Sequence, residues 1–149
     1  MTLHFTIPGS PKGKQRPRFR RMGNFVSAYS PKETVLYENL VRACFIEAYP
    51  DTFFEKDKPL SMTVIAYLDI PKSVSKKKRR QMLDWIIRPI KKPDSSNILK
   101  AIEDGLNTVA YHDDTQIVTH HVYRFYSENP RVEVYISDDL DFEISCRRL

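Results

Sequence analysis

The densest chemical text in this 149-residue chain runs from Lys91 to Ile117. It holds Asp94, Asn97, Lys100 and Asp104, followed by the adjacent acids Asp113 and Asp114. Pro93 biases Lys92 away from helical geometry, which sets Asp94 at the mouth of the helix that follows. Asn97, Lys100 and Asp104 fall at i, i+3 and i+7, one face of that helix. Asp113 and Asp114 arrive in a turn close enough to fold back towards it. Asp94, Asp113 and Asp114 beside a lysine would raise one another's pKa unless a cation neutralised them. Hard carboxylate oxygens of this kind suit Mg²⁺, with Mn²⁺ as a possible substitute. Each residue also has a plain structural reading: Asp94 as a helix cap, Asp113 and Asp114 as turn residues, Lys100 as a helix lysine paired with Asp104. Taken together with the basic segments around them, the cation site is the better reading.

Those basic segments are unevenly placed. The chain carries 24 Lys and Arg against 19 Asp and Glu, a net charge of +5. Residues 71–92 hold nine basic groups and one acid, whereas residues 111–149 hold four basic groups and eight acids. A basic front and a carboxylate-bearing back point to a polyanionic partner. Lys12, Lys14, Arg16, Arg18 and Arg20, in a loop or loose hairpin over residues 9–30 rich in Gly and Pro, are expected to grip a phosphodiester backbone. Lys76 and Lys77 are a second candidate contact, or a solvated helix face. Phe19 and Phe25 either stack on unpaired bases or seal a core edge. His112, beside Asp113, is the histidine best placed for proton transfer, unless it is only a turn residue. Basic charge alone would also fit an RNA-binding module, but no RRM-type aromatic signature or KH-type loop is present.

The run Pro93-Asp94-x-x-Asn97-x-x-Lys100, then Asp104-Gly-Leu-Asn107, then Tyr111-x-Asp113-Asp114-x-Gln116-Ile117 resembles the RusA family of Holliday-junction resolvases. Ile7-Pro-Gly-Ser-Pro-Lys12 and Arg16-Pro-Arg18 are similar to the opening of its phage and prophage members. The resemblance spans roughly residues 3 to 136. It implies a homodimeric, Mg²⁺-dependent endonuclease that cuts four-way DNA junctions symmetrically in recombination and repair. On that reading Asp94 and Asp114 hold the metal with help from Asp113, Lys100 matches the family's catalytic lysine, and Asn97 and Asp104 support them. One position departs from the pattern: the family's D-x-D-N has Ser96 where a second aspartate is usual. A neutral hydroxyl is a poor substitute for a carboxylate at Mg²⁺, so a non-catalytic or weakly active junction-binding protein is the alternative.

The elements that must position these residues are legible from periodicity. Leu3–Ile7 alternates as a strand and stops at Pro8-Gly9. Phe25–Tyr29 reads as a short strand. Ser30-Pro31-x-Glu33 reads as a capping box that opens a helix whose apolar positions are Val35, Leu36, Leu40, Val41, Ala43, Phe45 and Ala48. Leu60–Ile70 is β-branched and aromatic, hence a strand. Ser73–Ile87 reads as a second helix capped by Ser75, with Trp85-Ile86-Ile87 packing inward. Asn97–Leu106 is a third helix, with Ile98, Ala101, Ile102 and Leu106 inward. Thr115–Phe125 and Arg131–Ile136 are two late strands in hairpin order, and an acidic tail over residues 137–149 follows. The class is α+β, a mixed β-sheet with flanking helices in a single compact domain over residues 1–149.

Several classes are excluded. No apolar run approaches a membrane span, and the N-terminus lacks the pattern of a signal peptide. Cys44 and Cys146 stand in no metal-ligand spacing, so a reducing, cytoplasmic setting is expected. Neither a membrane partner nor a small-molecule cofactor is expected.

Overall fold

In the computed structural model, which describes residues 1–144, six strands and three helices follow one another in the order β1 (Thr2–Pro8), β2 (Arg18–Met22), β3 (Phe25–Tyr29), α1 (Lys32–Ala48), β4 (Leu60–Asp69), α2 (Lys76–Leu83), α3 (Ser95–Leu106), β5 (Ile117–Ser127) and β6 (Arg131–Ser137). Four strands form a mixed sheet in the order β1-β6-β4-β5, and β2 and β3 form a separate two-stranded ribbon. The α+β expectation holds.

Alternation in β1 sends Leu3, Phe5 and Ile7 inward and leaves Thr2, His4 and Thr6 in solvent. β6 sends Val132, Val134 and Ile136 to the same side. β4 is buried on both faces, so its sequence is nearly continuously apolar rather than alternating. One face of the sheet carries the main core, closed by α1 and α3 through Tyr37, Val41, Phe45, Ile98, Ile102 and Leu106. The other face holds a smaller aromatic cluster of Ile65, Tyr67 and Phe125, with Trp85 4.2 Å from Phe125.

Four expectations are corrected. The two late strands are not a hairpin: β6 lies antiparallel between β1 and β4, and β5 pairs in parallel with β4 at the sheet edge. Proximity in sequence suggested a hairpin, but β6 carries a fully apolar inward face and takes the more buried place. α1 has Pro31 at its cap position with no side-chain cap bond from Ser30. Glu33 instead accepts a hydrogen bond from Gln15 Nε2 at 3.0 Å. α1 buries Thr34, Tyr37, Val41 and Phe45, which leaves Val35, Leu36 and Leu40 exposed on its outer side. The second helix ends at Leu83, with Asp84 as its C-cap and Trp85 in the left-handed region at φ 64°. That reversal turns Trp85 onto Phe125 while Ile86 stays in solvent. Ser75 does cap this helix, accepting from Lys78 N at 3.2 Å.

Two contacts tie off the edges of the structure. Tyr49 Oη, at the end of α1, accepts from His4 N and donates to His4 O, both at 2.9 Å. The Met1 ammonium donates to Asp138 at 2.6 Å, and Lys58 lies 3.2 Å from the other oxygen of that carboxylate. The hydrogen bond from the N-terminal ammonium, with Lys58 behind it, holds the Asp138 carboxyl below its usual range. Cys44 is a free thiol; Cys146 and the end of the expected acidic tail lie outside the described residues. No helix among the described residues is long and apolar enough to cross a membrane.

Ile136 is fully buried in β6, opposite Leu3 on one side and Met62 on the other. Ile136→Ala is expected to lower unfolding free energy by about 2–5 kcal/mol, as cavity-forming changes in a packed core do. Urea denaturation monitored by circular dichroism checks this, and a loss below about 1 kcal/mol would mean that the sheet closes around the void.

Candidate functional site

The site begins at the N-terminus of α3. Asp94 is the N-cap, its Oδ1 accepting from Asn97 N at 2.9 Å and from Ser96 Oγ at 3.3 Å. A side-chain oxygen there satisfies one of the unpaired amide donors at the helix start. Asp94 is therefore the helix cap, and capping engages only one of its two carboxylate oxygens. The approach to Asp94 is fixed by Arg124 of β5, whose Nη1 donates to the carbonyls of Lys91 at 2.7 Å and Pro93 at 3.2 Å. The Lys92–Pro93 peptide is cis.

The N-terminal basic loop lies directly on this helix end. Lys14 N donates to Asn97 O at 3.0 Å. A Cβ on Gly13 would lie 2.9 Å from Pro93 Cβ and 3.1 Å from Asn97 Cβ, so glycine is required for the approach. Between loop and helix opens a cleft of about 720 Å³, lined by Lys12, Lys14 and Arg16 on one wall and by Lys92, Asp94 and Asn97 on the other.

Behind the cleft runs a chain of alternating charges. Lys14 Nζ contacts Glu38 of α1 at 2.6 Å and Asp104 of α3 at 2.9 Å. Lys100 Nζ contacts the other oxygen of Asp104 at 3.2 Å and Asp114 at 3.2 Å. Burial works against the charged form of Lys14, yet its bonds to Glu38 and Asp104 outweigh that and raise its pKa. The hydrogen bond to Asp104, followed by that to Asp114, raises the pKa of Lys100 in the same way. Lys14, expected on a DNA backbone, is here part-buried and held between Glu38 and Asp104 at the cleft wall. Asp113 and Asp114 occupy a turn that leads into a single 3-10 turn, Asp114–Gln116. A hydrogen bond with Asp114 lowers the pKa of Asp113. Gln116 brackets this turn: its Oε1 accepts from His112 N at 2.8 Å and Asp113 N at 3.2 Å. Its Nε2 donates to Glu55 O at 2.9 Å and Lys58 O at 3.1 Å.

The structure thus joins Lys100, Asp104 and Asp114 directly, with Asp94, Ser96 and Asn97 on the preceding turns of α3. Arg18 and Arg20 stand apart on the β2–β3 ribbon, and Lys76 and Lys77 are exposed in the first turn of α2. His112 sets its ring edge-on against Phe53 at 4.7 Å.

A pair that the sequence reading passed over is Glu103 and His120, whose Oε1 and Nε2 lie 2.5 Å apart between α3 and β5. Burial pushes the Glu103 carboxyl up, against the opposing pull of His120. The available signal was an acid on the inward face of a helix beside Ile102 and Leu106, which must find a partner.

No three Asp, Glu, His or Cys side chains converge into a ready metal cage among the described residues. Mg²⁺ does not need one, since it keeps several waters and takes one or two protein carboxylates. The donor chemistry fits. Asp104 and Asp114 already hold a cation between them, the Lys100 ammonium, and Asp94 has a second oxygen not used in capping.

With this geometry in place, family membership follows from comparison. Residues 8–137 match the model of the RusA endodeoxyribonuclease family. The chain belongs to that family. It is 37% identical over 138 residues to the "Uncharacterized protein YqaN" of Bacillus subtilis (strain 168), covering 91% of this chain and 96% of that protein. It is 25% identical over 137 residues to the crossover junction endodeoxyribonuclease rusA of Lactococcus phage r1t, with the same 91% and 96% coverage.

Lys14→Met leaves Glu38 and Asp104 without their shared cation, and is expected to cost about 1.5–3 kcal/mol, the range for hydrogen bonds to charged groups. Because the folded pKa of Lys14 is raised, its contribution is fully present below the ordinary lysine pKa and fades as pH climbs through the folded value. Urea titrations should show a constant gap between the two proteins from neutral pH to about pH 10, narrowing above it. A gap already absent at pH 7 would mean that the ion pair contributes nothing.

Proposed function

We propose that this protein is a homodimeric, metal-dependent endonuclease that resolves four-way DNA junctions. The observation that carries the reading is Lys100 held at 3.2 Å from both Asp104 and Asp114, on the helix capped by Asp94, within the segment matched to a nuclease family. The relative from phage r1t, described as a crossover junction endodeoxyribonuclease, supports the choice of substrate.

Asp94 and Asp114, with Asp113 beside them, are the residues that would hold Mg²⁺. Bound there, the ion would polarise a phosphate oxygen and lower the pKa of water. The remaining roles fall to the protein itself. Lys100 carries a positive charge that can stabilise negative charge developing on the scissile phosphate. Asp104 positions Lys100, and Lys14 in turn positions Asp104. Gln116 holds the turn that presents Asp113 and Asp114. Lys12 and Arg16 line the cleft beside Asp94 and suit the backbone phosphates entering it. Lys76 and Lys77 sit in the first turn of α2, where the helix dipole disfavours cations. A phosphate contact would offset that cost. Two symmetric cuts call for two sites related by a two-fold axis. The exposed Val35, Leu36 and Leu40 stripe on α1 supports a second copy as the partner.

The second reading, a junction binder of little or no activity, is favoured by Ser96. Its hydroxyl lies 3.3 Å from Asp94 Oδ1, the neighbourhood in which the family pattern puts a carboxylate.

Asp94→Asn separates catalysis from folding, since Asn caps a helix as well as Asp does. Cleavage of a synthetic four-way junction in Mg²⁺ should disappear, melting should stay close to wild type, and junction affinity should hold or rise. Undiminished single-turnover cleavage would remove Asp94 from the chemistry.

Ser96→Asp adds an anionic oxygen beside Asp94. It should raise cleavage and shift the Mg²⁺ midpoint of activity to lower concentration. It should also lower the melting temperature without metal, through repulsion between the two carboxylates. Equal cleavage at every Mg²⁺ concentration, with unchanged melting, would place residue 96 outside the site.

A further inference from the structure

The β2–β3 ribbon is the part of the molecule that the fold does not explain. All ten of its residues are exposed, including Phe19 at 73%, Met22 at 60%, Phe25 at 79% and Val26 at 67%. Phe19 and Phe25 therefore seal no core edge. The register pairs Arg18 with Tyr29, Arg20 with Ser27 and Met22 with Phe25. Alternation puts these six side chains on one face, with two arginines along the stem and two large apolar side chains at the tip. Arg20 lies over the Tyr29 ring at 5.6 Å, a cation and an aromatic plane already stacked. The tip is a two-residue turn, Gly23-Asn24, with Gly23 at φ 61° and Asn24 outside the positive-φ residues. This is the pattern of a II′ hairpin, whose twist matches its strands.

Charge selects the occupant of this surface. From Gly9 to Pro31 the chain contains no Asp or Glu, while the ribbon carries Arg18, Arg20 and Arg21. Two copies meeting through their ribbons would bring like charges together, whereas a nucleic acid supplies the opposite charge. A duplex groove admits a two-stranded ribbon, and Phe and Met are side chains that proteins insert between base steps.

We propose that the ribbon is a branch-point wedge: its arginines hold backbone phosphates while Met22 and Phe25 occupy the space of unstacked bases where DNA arms meet. This rests on the junction-binding reading above and names the element that would recognise the branch.

The test places the fluorescent base 2-aminopurine next to the branch of a synthetic four-way junction. Fluorescence and affinity are measured in Ca²⁺, with a duplex of the same sequence for comparison. Wild type should brighten the base at least about twofold on binding. The double variant Met22→Ser, Phe25→Ser should lose the brightening and bind the junction about tenfold more weakly, in the range of base–aromatic stacking. Its duplex affinity and salt slope should be unchanged, because no charge is removed. Phe25→Trp keeps a stacking ring and should keep the signal, which separates a lost contact from a misfolded ribbon. Arg18→Gln with Arg20→Gln should instead flatten the salt slope. Brightening that persists in the serine double variant overturns the wedge, as does loss of self-association in that variant at unchanged junction affinity. A wild type that prefers the junction but never brightens the base overturns the wedge alone. A wild type with no preference for the junction overturns the proposed function and the wedge with it.

Discussion

One carboxylate, Asp104, ties together parts of the chain that are far apart in sequence. Its two oxygens receive Lys14 from the N-terminal loop and Lys100 from its own helix. Lys14 extends the link to Glu38 on α1, and Lys100 extends it to Asp114 in the turn before β5. The order is acid, lysine, acid, lysine, acid, so each charge has an opposite neighbour in a part-exposed region. Removing one member leaves its neighbours without the opposite charge that holds them in place. The basic loop, the α1–α3 packing and the acidic turn thus share one electrostatic constraint, and the cleft beside Asp94 takes its shape from it.

Backbone contacts reinforce that constraint. Arg124 holds the carbonyls of Lys91 and Pro93, so an edge strand sets where α3 begins. Gln116 joins the turn to the loop before β4 through four hydrogen bonds. Neither residue needs to touch a substrate to matter, since a site is only as well defined as the groups supporting it. Gln116 and Ile117 close the run that resembles the family's motif. The structure gives Gln116 a bracing role there rather than a chemical one.

What could be read beforehand was local. Alternation located β1 and β6, β-branched content located β4, and the face Ile98-Ala101-Ile102 located the inward side of α3. Lys100 and Asp104 were legible as a pair because helical spacing fixes them. Lys14 with Glu38 was not, because a contact between a loop and a helix has no period. The β5–β6 hairpin was expected because consecutive strands often pair. The sheet instead inserts β6 between β1 and β4, an outcome set by competition for burial rather than by any turn signal. On α1, two apolar faces overlap in the sequence, and only packing decides that Tyr37, Val41 and Phe45 turn inward. Glu103 and His120 were missed for a similar reason, lying 17 residues apart on different elements.

The bond pair between Tyr49 and His4 has a consequence for the sheet as an assembly surface. β1 is an outer strand, and its unpaired backbone groups are the natural template on which another strand would add. At His4 both the amide and the carbonyl are already taken by one phenolic oxygen. A strand arriving from outside would have to evict a side chain that the end of α1 holds in place and replace both bonds at once. A single tyrosine therefore acts as a stop on sheet growth along that side, and edge-to-edge stacking through the middle of β1 is disfavoured.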